Sequence, residues 1–183
     1  MKNGTVHMEL ENLLAGKRHA IERRWFDILV EAYPVESRQF LENKNDRFNN
    51  PVAYEFHQGM GGIVEALVHG MEHDMLSEHL DKIISIRAIQ DLSPSKAVAF
   101  IFLLKTAIRK ELQQEIAAKG ISEELLEIES RIDGLALLCF DIYMKRREKL
   151  YEIRTNEAKT RVSGLLRMAG LLSDLEEEPV ELG

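Results

Sequence analysis

The stretch Ser93-Pro94-Ser95-Lys96-Ala97-Val98-Ala99-Phe100-Ile101-Phe102-Leu103-Leu104-Lys105-Thr106-Ala107-Ile108 decides how this chain is built. A serine at a helix start offers its side-chain oxygen to backbone N–H groups that have no partner. Proline at the first helical position gives up a donor that would be unpaired anyway. From there Ala97, Ile101, Leu104, Ile108, Leu112 and Ile116 return at helical spacing on one face. Val98, Phe100, Phe102 and Leu103 widen that face over the first three turns, and a helix apolar nearly all round belongs in the middle of a fold. Gly120 is placed to cap its end, so the pattern predicts one central helix over 94–119.

The same grammar extends in both directions. Upstream, Asn50-Pro51 repeats the cap-plus-proline start and opens a helix over 51–69, with Val52, Phe56, Ile63 and Leu67 on one side. Gly59, Gly61 and Gly62 weaken that helix by about 1 kcal/mol each relative to alanine. Such a cost points to a kink or to the close approach of another backbone, and Gly70 is placed to end the helix. A further helix is expected over 75–92, using Leu76, Leu80, Ile83, Ile84, Ala88 and Leu92. Before these, a first helix over 8–33 carries Leu10, Leu13, Leu14, Ile21, Trp25, Ile28, Leu29 and Ala32 and stops at Pro34. A short amphipathic piece over 36–43 and a polar loop follow it.

Downstream, Ser122 opens the last and longest helix, with Leu125, Ile128, Ile132, Leu135, Cys139 and Ile142 as its buried stripe. No helix breaker occurs before Gly164, so this helix would reach roughly 60 Å, twice the width of a small domain. Its second half must project from the domain or pair with another chain. Strand signals are nearly absent. The expectation is an all-α bundle of five to six helices over residues 1–143, a projecting helix over 144–172 and a disordered acidic tail over 173–183.

Composition sets the outer bounds. At 45% hydrophobic and 30% charged residues the chain is ordinary for a globular protein of 183 residues. No apolar run is long enough to span a bilayer and the N-terminus lacks a signal-peptide pattern, so a soluble, cytoplasmic protein without membrane insertion is expected. Of the net charge of −7, five units sit on Asp174, Glu176, Glu177, Glu178 and Glu181, with no basic residue among them. The body is left near −2, which offers no field for nucleic acid.

Candidate chemistry is sparse. Glu65, His69 and His73 are spaced by four, as metal ligands on a helix would be, but Gly70 falls between the histidines at a helix end. His57, His69 or His79 could serve as a proximal haem ligand, though none sits in a haem-attachment motif. Cys139 lies in the apolar run Leu135–Phe140, where a thiol is a small hydrophobe rather than a reactive thiolate. No Gly-x-Ser-x-Gly elbow or phosphate-cradling glycine loop follows a strand. No catalytic residue, metal ligand or cofactor is therefore assigned. Two polar groups stand out instead. Arg87, Gln90 and Asp91 precede the Ser93-Pro94 corner and are placed to clamp it by hydrogen bonding or to contact a partner. Asp133 and Asp141 flank the last helix's stripe, with Lys145 set to pair within that helix.

These residues resemble the N-terminal domain of the RsbT co-antagonist (RsbR/RsbRD) proteins, the sensor half of stressosome subunits. The matching elements include Trp25 with Tyr33-Pro34, Asp46-Arg47-Phe48-Asn49-Asn50-Pro51-Val52, Leu104-Lys105 with Ile108-Arg109, and Phe140-Asp141-Ile142-Tyr143-Met144. The most specific is Arg87-Ala88-Ile89-Gln90-Asp91-Leu92-Ser93-Pro94-Ser95-Lys96-Ala97-Val98. The resemblance implies a globin-like helical fold without haem that dimerises and passes a signal down its last helix. In the stressosome proteins a STAS output domain with phosphorylatable residues follows; here about 25 residues follow the last match. The expected function is a non-enzymatic sensory or scaffolding module acting on an unidentified protein partner. The alternatives are a ligand- or haem-binding globin, and an accessory subunit of a sulfite-reduction or respiratory complex. The exposed stripe Leu150, Ile153, Leu165, Leu166 and Met168 is the candidate homodimer or docking surface.

Overall fold

A computed structural model of the chain describes residues 3–31, 33, 35–42, 48–69, 73–90 and 92–170. Among these are eight helices and no strand, so the all-α class holds. They are α1 (Asn3–Val30), α2 (Val35–Glu42), α3 (Pro51–His69), α4 (His73–Ile89), α5 (Pro94–Val98), α6 (Phe100–Glu111), α7 (Gln113–Lys119) and α8 (Ser122–Met168). The chain divides into two units, residues 1–145 and 146–183.

In the first unit, α1 buries Leu10, Leu14, Ile21, Trp25 and Leu29 against α3 and α6, with Phe26 and Val30 added to the stripe. Arg38 closes its end by donating to the carbonyls of Glu31 and Tyr33, both at 2.7 Å. Pro34 and Gly70, the expected helix stops, lie outside the described residues. Asn50 begins α3 as its residue type dictates: its Oδ1 accepts from the Ala53 N–H at 3.0 Å, while its Nδ2 donates to the Phe40 carbonyl at 2.6 Å and ties α3 to α2.

The central helix differs from the expectation of one element over 94–119. It is three segments, broken at Ala99 and Leu112. The physical reason is a capture of carbonyls. Arg87 of α4 takes the Lys96 and Ala97 carbonyls at 2.8 Å each, and Lys17 of α1 takes the Glu111 carbonyl at 2.6 Å. Trp25 donates its indole N–H to the Phe100 carbonyl at 2.7 Å while stacking on the Phe100 ring, centroids 5.8 Å apart. A carbonyl held from outside is free to tilt away from its own helix, and a helix bends where that happens. The count of eight against five or six follows from these breaks together with the short α2.

Two of the three α3 glycines are explained by close approach. A β-carbon at Gly59 would lie 2.8 Å from the His79 carbonyl and 2.8 Å from the Ile83 side chain, and one at Gly62 would overlap the His79 ring. Only glycine lets α4 come this near α3. Gly61 is different: a β-carbon there meets only the Glu22 carboxylate, at 3.4 Å.

The first part of α8 buries Leu125, Ile128, Ile132, Leu135, Ala136, Cys139 and Tyr143. Two cross-helix ion pairs link it to α6, Lys105 with Asp133 at 2.6 Å and Arg109 with Glu129, whose Nη2–Oε2 bond is 2.9 Å. Asp133 thus pairs across helices, a partnership that spacing along α8 does not disclose.

In the second unit, α8 continues to Met168 and every side chain from Tyr151 to Met168 is exposed except the half-buried Leu166. Gly170 follows in the left-handed region, φ 68°, and donates its N–H to the Arg167 carbonyl at 3.0 Å. Leu171, Leu172 and the acidic tail lie outside the described residues.

Candidate functional site

The first candidate is the corner between α4 and α5. Arg87, in the last turn of α4, is buried to 5% exposure. Its Nε and Nη2 donate to the Ala97 and Lys96 carbonyls, and its Nη1 donates to the Tyr33 hydroxyl. The guanidinium also lies 5.2 Å from the Phe100 ring centre, over a π face that favours a cation. Burial pushes the Arg87 pKa down from its ordinary value, and the neighbouring Tyr33 opposes this. The planar fork reaches two carbonyls and a hydroxyl at once, which a lysine cannot do.

Ser93 caps α5 in extended conformation, ψ 152°, its Oγ facing the Lys96 N–H at 3.5 Å with Pro94 at the helix start. On the other side, Tyr143 of α8 donates its hydroxyl proton to the Leu92 carbonyl at 2.6 Å. Of the sequence candidates, Arg87, Ser93 and Pro94 converge on the corner. Gln90 is exposed, and Asp91 lies outside the described residues. Sequence reading missed Tyr33, Tyr143 and Trp25 as members, although Tyr33 and Tyr143 are the only tyrosines within the blocks that carried the resemblance. Cys139 is fully buried, and burial pushes its thiol up to about 12 against the nearby Arg87 charge, so it is no nucleophile.

The histidines go to separate places. His57 packs on Phe26 with centroids 4.2 Å apart, its Nε2 3.2 Å from the Leu41 carbonyl. His69 Nε2 is 3.6 Å from Glu65, and the His73 side chain lies outside the described residues. Among the described residues no three metal-binding side chains cluster, and no helix is long and apolar enough to cross a membrane. His57 also borders a cleft of about 680 Å³ whose rim mixes Arg23 and His19 with Asp27 and Glu42.

His79 sits over Gly62, and among the described residues its Nδ1 is buried without a hydrogen-bond partner. Burial, then Lys82, lowers its pKa below the ordinary 6.5, while Glu78 opposes. The unfolded chain therefore takes up a proton at a pH where the folded chain does not. The stability tied to this ring is fully present above pH 6.5 and is lost as pH falls toward the depressed folded value. Thermal melts from pH 7.5 to 5.5 should show that decline, and His79→Gln should flatten it; an unchanged slope in the variant would refute the assignment.

The second candidate is the distal half of α8, where Ile153, Leu165 and Met168 are exposed and Leu150 and Leu166 are half-buried. Met168 is 87% exposed.

Buried polar groups hold the backbone turns in place, and helices close around them in an all-helical module. The chain belongs to the RsbT co-antagonist protein rsbRD N-terminal domain family, whose model matches residues 19–158. No curated protein and no solved structure matches it.

Proposed function

We propose that this protein is a non-enzymatic sensory or regulatory module that acts in the cytoplasm by binding another protein, and that it is a homodimer built partly on distal α8. The family match carries this reading, since that family comprises sensor-type domains that regulate through protein contacts. The globin-like arrangement without haem belongs to the same reading. The exposed side chains of distal α8 support it: an isolated helix with apolar residues on its surface is marginal in water and gains from a partner. A two-fold contact buries the same stripe twice. The Arg87 group fixes the corner that leads into the central helices, and it is the proposed place where a change in the core is felt.

Light scattering should give a dimer at tens of micromolar protein. Deleting the chain after Tyr151, or replacing Leu165 and Met168 with glutamate, should shift it toward monomer with the melting of the first unit unchanged. A monomer for the intact chain sinks the dimer. A stoichiometric haem absorption band after expression with haem supply would replace this reading with the globin alternative.

A further inference from the structure

Four helices of the first unit leave a cavity of about 490 Å³ between them. α3 supplies Ala66 and Leu67 from its last turns, α4 supplies Leu76 from its first, and α8 supplies Leu135. Ala66 and Leu135 keep 8% exposure each, the highest of the buried apolar side chains on α3 and α8. The walls are thus core side chains that the core itself leaves uncovered. Small-molecule sites are concavities of about 300–1,000 Å³, mostly apolar, with a few polar groups that fix the ligand's orientation.

The polar groups at this cavity stand on the other sides of its mouth. Arg131 lies one turn before Leu135 on the same face of α8, is exposed, and makes no hydrogen bond or ion pair among the described residues. The other two are already committed. His69 Nε2 is 3.6 Å from Glu65, which Arg18 holds, and Glu11 of α1 is engaged within the chain. The Arg131 guanidinium is therefore the group with donors to give, in a planar fork that matches a carboxylate through two parallel bonds. Glu11 repels an anion from the α1 edge, which leaves the α8 edge to the head group.

We infer that this cavity binds a small monocarboxylate with an apolar body, its carboxylate on Arg131 and its body against Ala66, Leu67, Leu76 and Leu135. The ligand's role as the stimulus of the sensory module rests on that reading; the binding itself stands on the cavity. Leu76 and Arg87 share α4, about 16 Å apart along its axis. A body wedged against Leu76 thus bears on the helix whose other end holds the α4–α5 corner.

The test is isothermal titration of the full chain with octanoate, with octylammonium and acetate as controls. Octanoate should bind at one site per chain. Octylammonium, which has the same body and the opposite charge, and acetate, which lacks the body, should bind at least tenfold more weakly. Arg131→Gln should weaken octanoate tenfold or more, and Arg131→Lys should recover part of the loss. Leu76→Trp, which fills the cavity, should also weaken it. Arg131 is exposed, so its variants should keep the circular dichroism and melting of the unaltered chain, which separates loss of the site from loss of the fold. Octanoate binding that is absent at millimolar concentration, that occupies several sites per chain, or that survives Arg131→Gln overturns the proposal. So does octylammonium binding as tightly as octanoate. Light scattering on the same samples keeps the two readings apart: a monomer that binds octanoate through Arg131 defeats the dimer and leaves the site, whereas a dimer that binds no octanoate defeats the site alone.

Discussion

Arg87→Ala should lower the stability of the fold by about 3 kcal/mol. The loss is larger than that of an ordinary hydrogen bond because three partners are stranded together. The Lys96 and Ala97 carbonyls face a buried guanidinium, and the Tyr33 hydroxyl loses the same donor. Each buried acceptor left without a donor costs about 1–3 kcal/mol, partly recovered where water enters the vacated space. For a chain of this size the melting temperature should drop by roughly 6–12 °C. Arg87→Lys should recover little, since one ammonium cannot supply the Nε and Nη2 bonds together. Differential scanning calorimetry on both variants checks the claim. An unchanged melting temperature with partner binding lost would move Arg87 from the architecture to the recognition surface.

The second large effect is at the α3–α4 seam. Gly59→Ala should destabilise the chain by about 2–3 kcal/mol, although alanine is the better helix former by about 1 kcal/mol. The added methyl would meet the His79 carbonyl, which is backbone and cannot rotate aside, together with the Ile83 side chain. Only separation of the two helices relieves that contact. Gly61→Ala, two residues along the same helix, should be neutral or stabilising, since its methyl meets only a movable carboxylate. Urea denaturation of the pair isolates packing from helix propensity, and equal effects at the two positions would contradict the seam geometry.

These two sites show where sequence reading reaches its limit. Helix starts at Pro51 and Pro94 and the stop at Gly120 were legible because the groups that create them are neighbours in the chain. The left-handed φ of 67° at Gly120 and the Asn50 cap are local events. The breaks at Ala99 and Leu112 were illegible because the groups that open them, Arg87, Lys17 and Trp25, come from other helices. The bond from Trp25 to the Phe100 carbonyl spans 75 positions. The three glycines announced a cost but not its cause, since nothing around Gly59 names His79. At the corner, Arg87, Ser93 and Pro94 could be singled out by spacing alone. Tyr33 and Tyr143 could not, as a tyrosine hydroxyl finds its acceptor only once the helices are packed. Exposure of the side chains from Tyr151 to Met168, Leu166 excepted, was foreseeable from composition.

The single tryptophan turns this architecture into an instrument. Trp25 is fully buried, stacked on Phe100 and bonded to its carbonyl, and Phe100 in turn lies under the Arg87 guanidinium. Its fluorescence thus originates at the joint where α5 meets α6, with no competing indole elsewhere. Emission that shifts to longer wavelength while helical ellipticity holds would report that joint loosening on its own. A change that begins at the corner can thus be followed optically in the native chain, without a label.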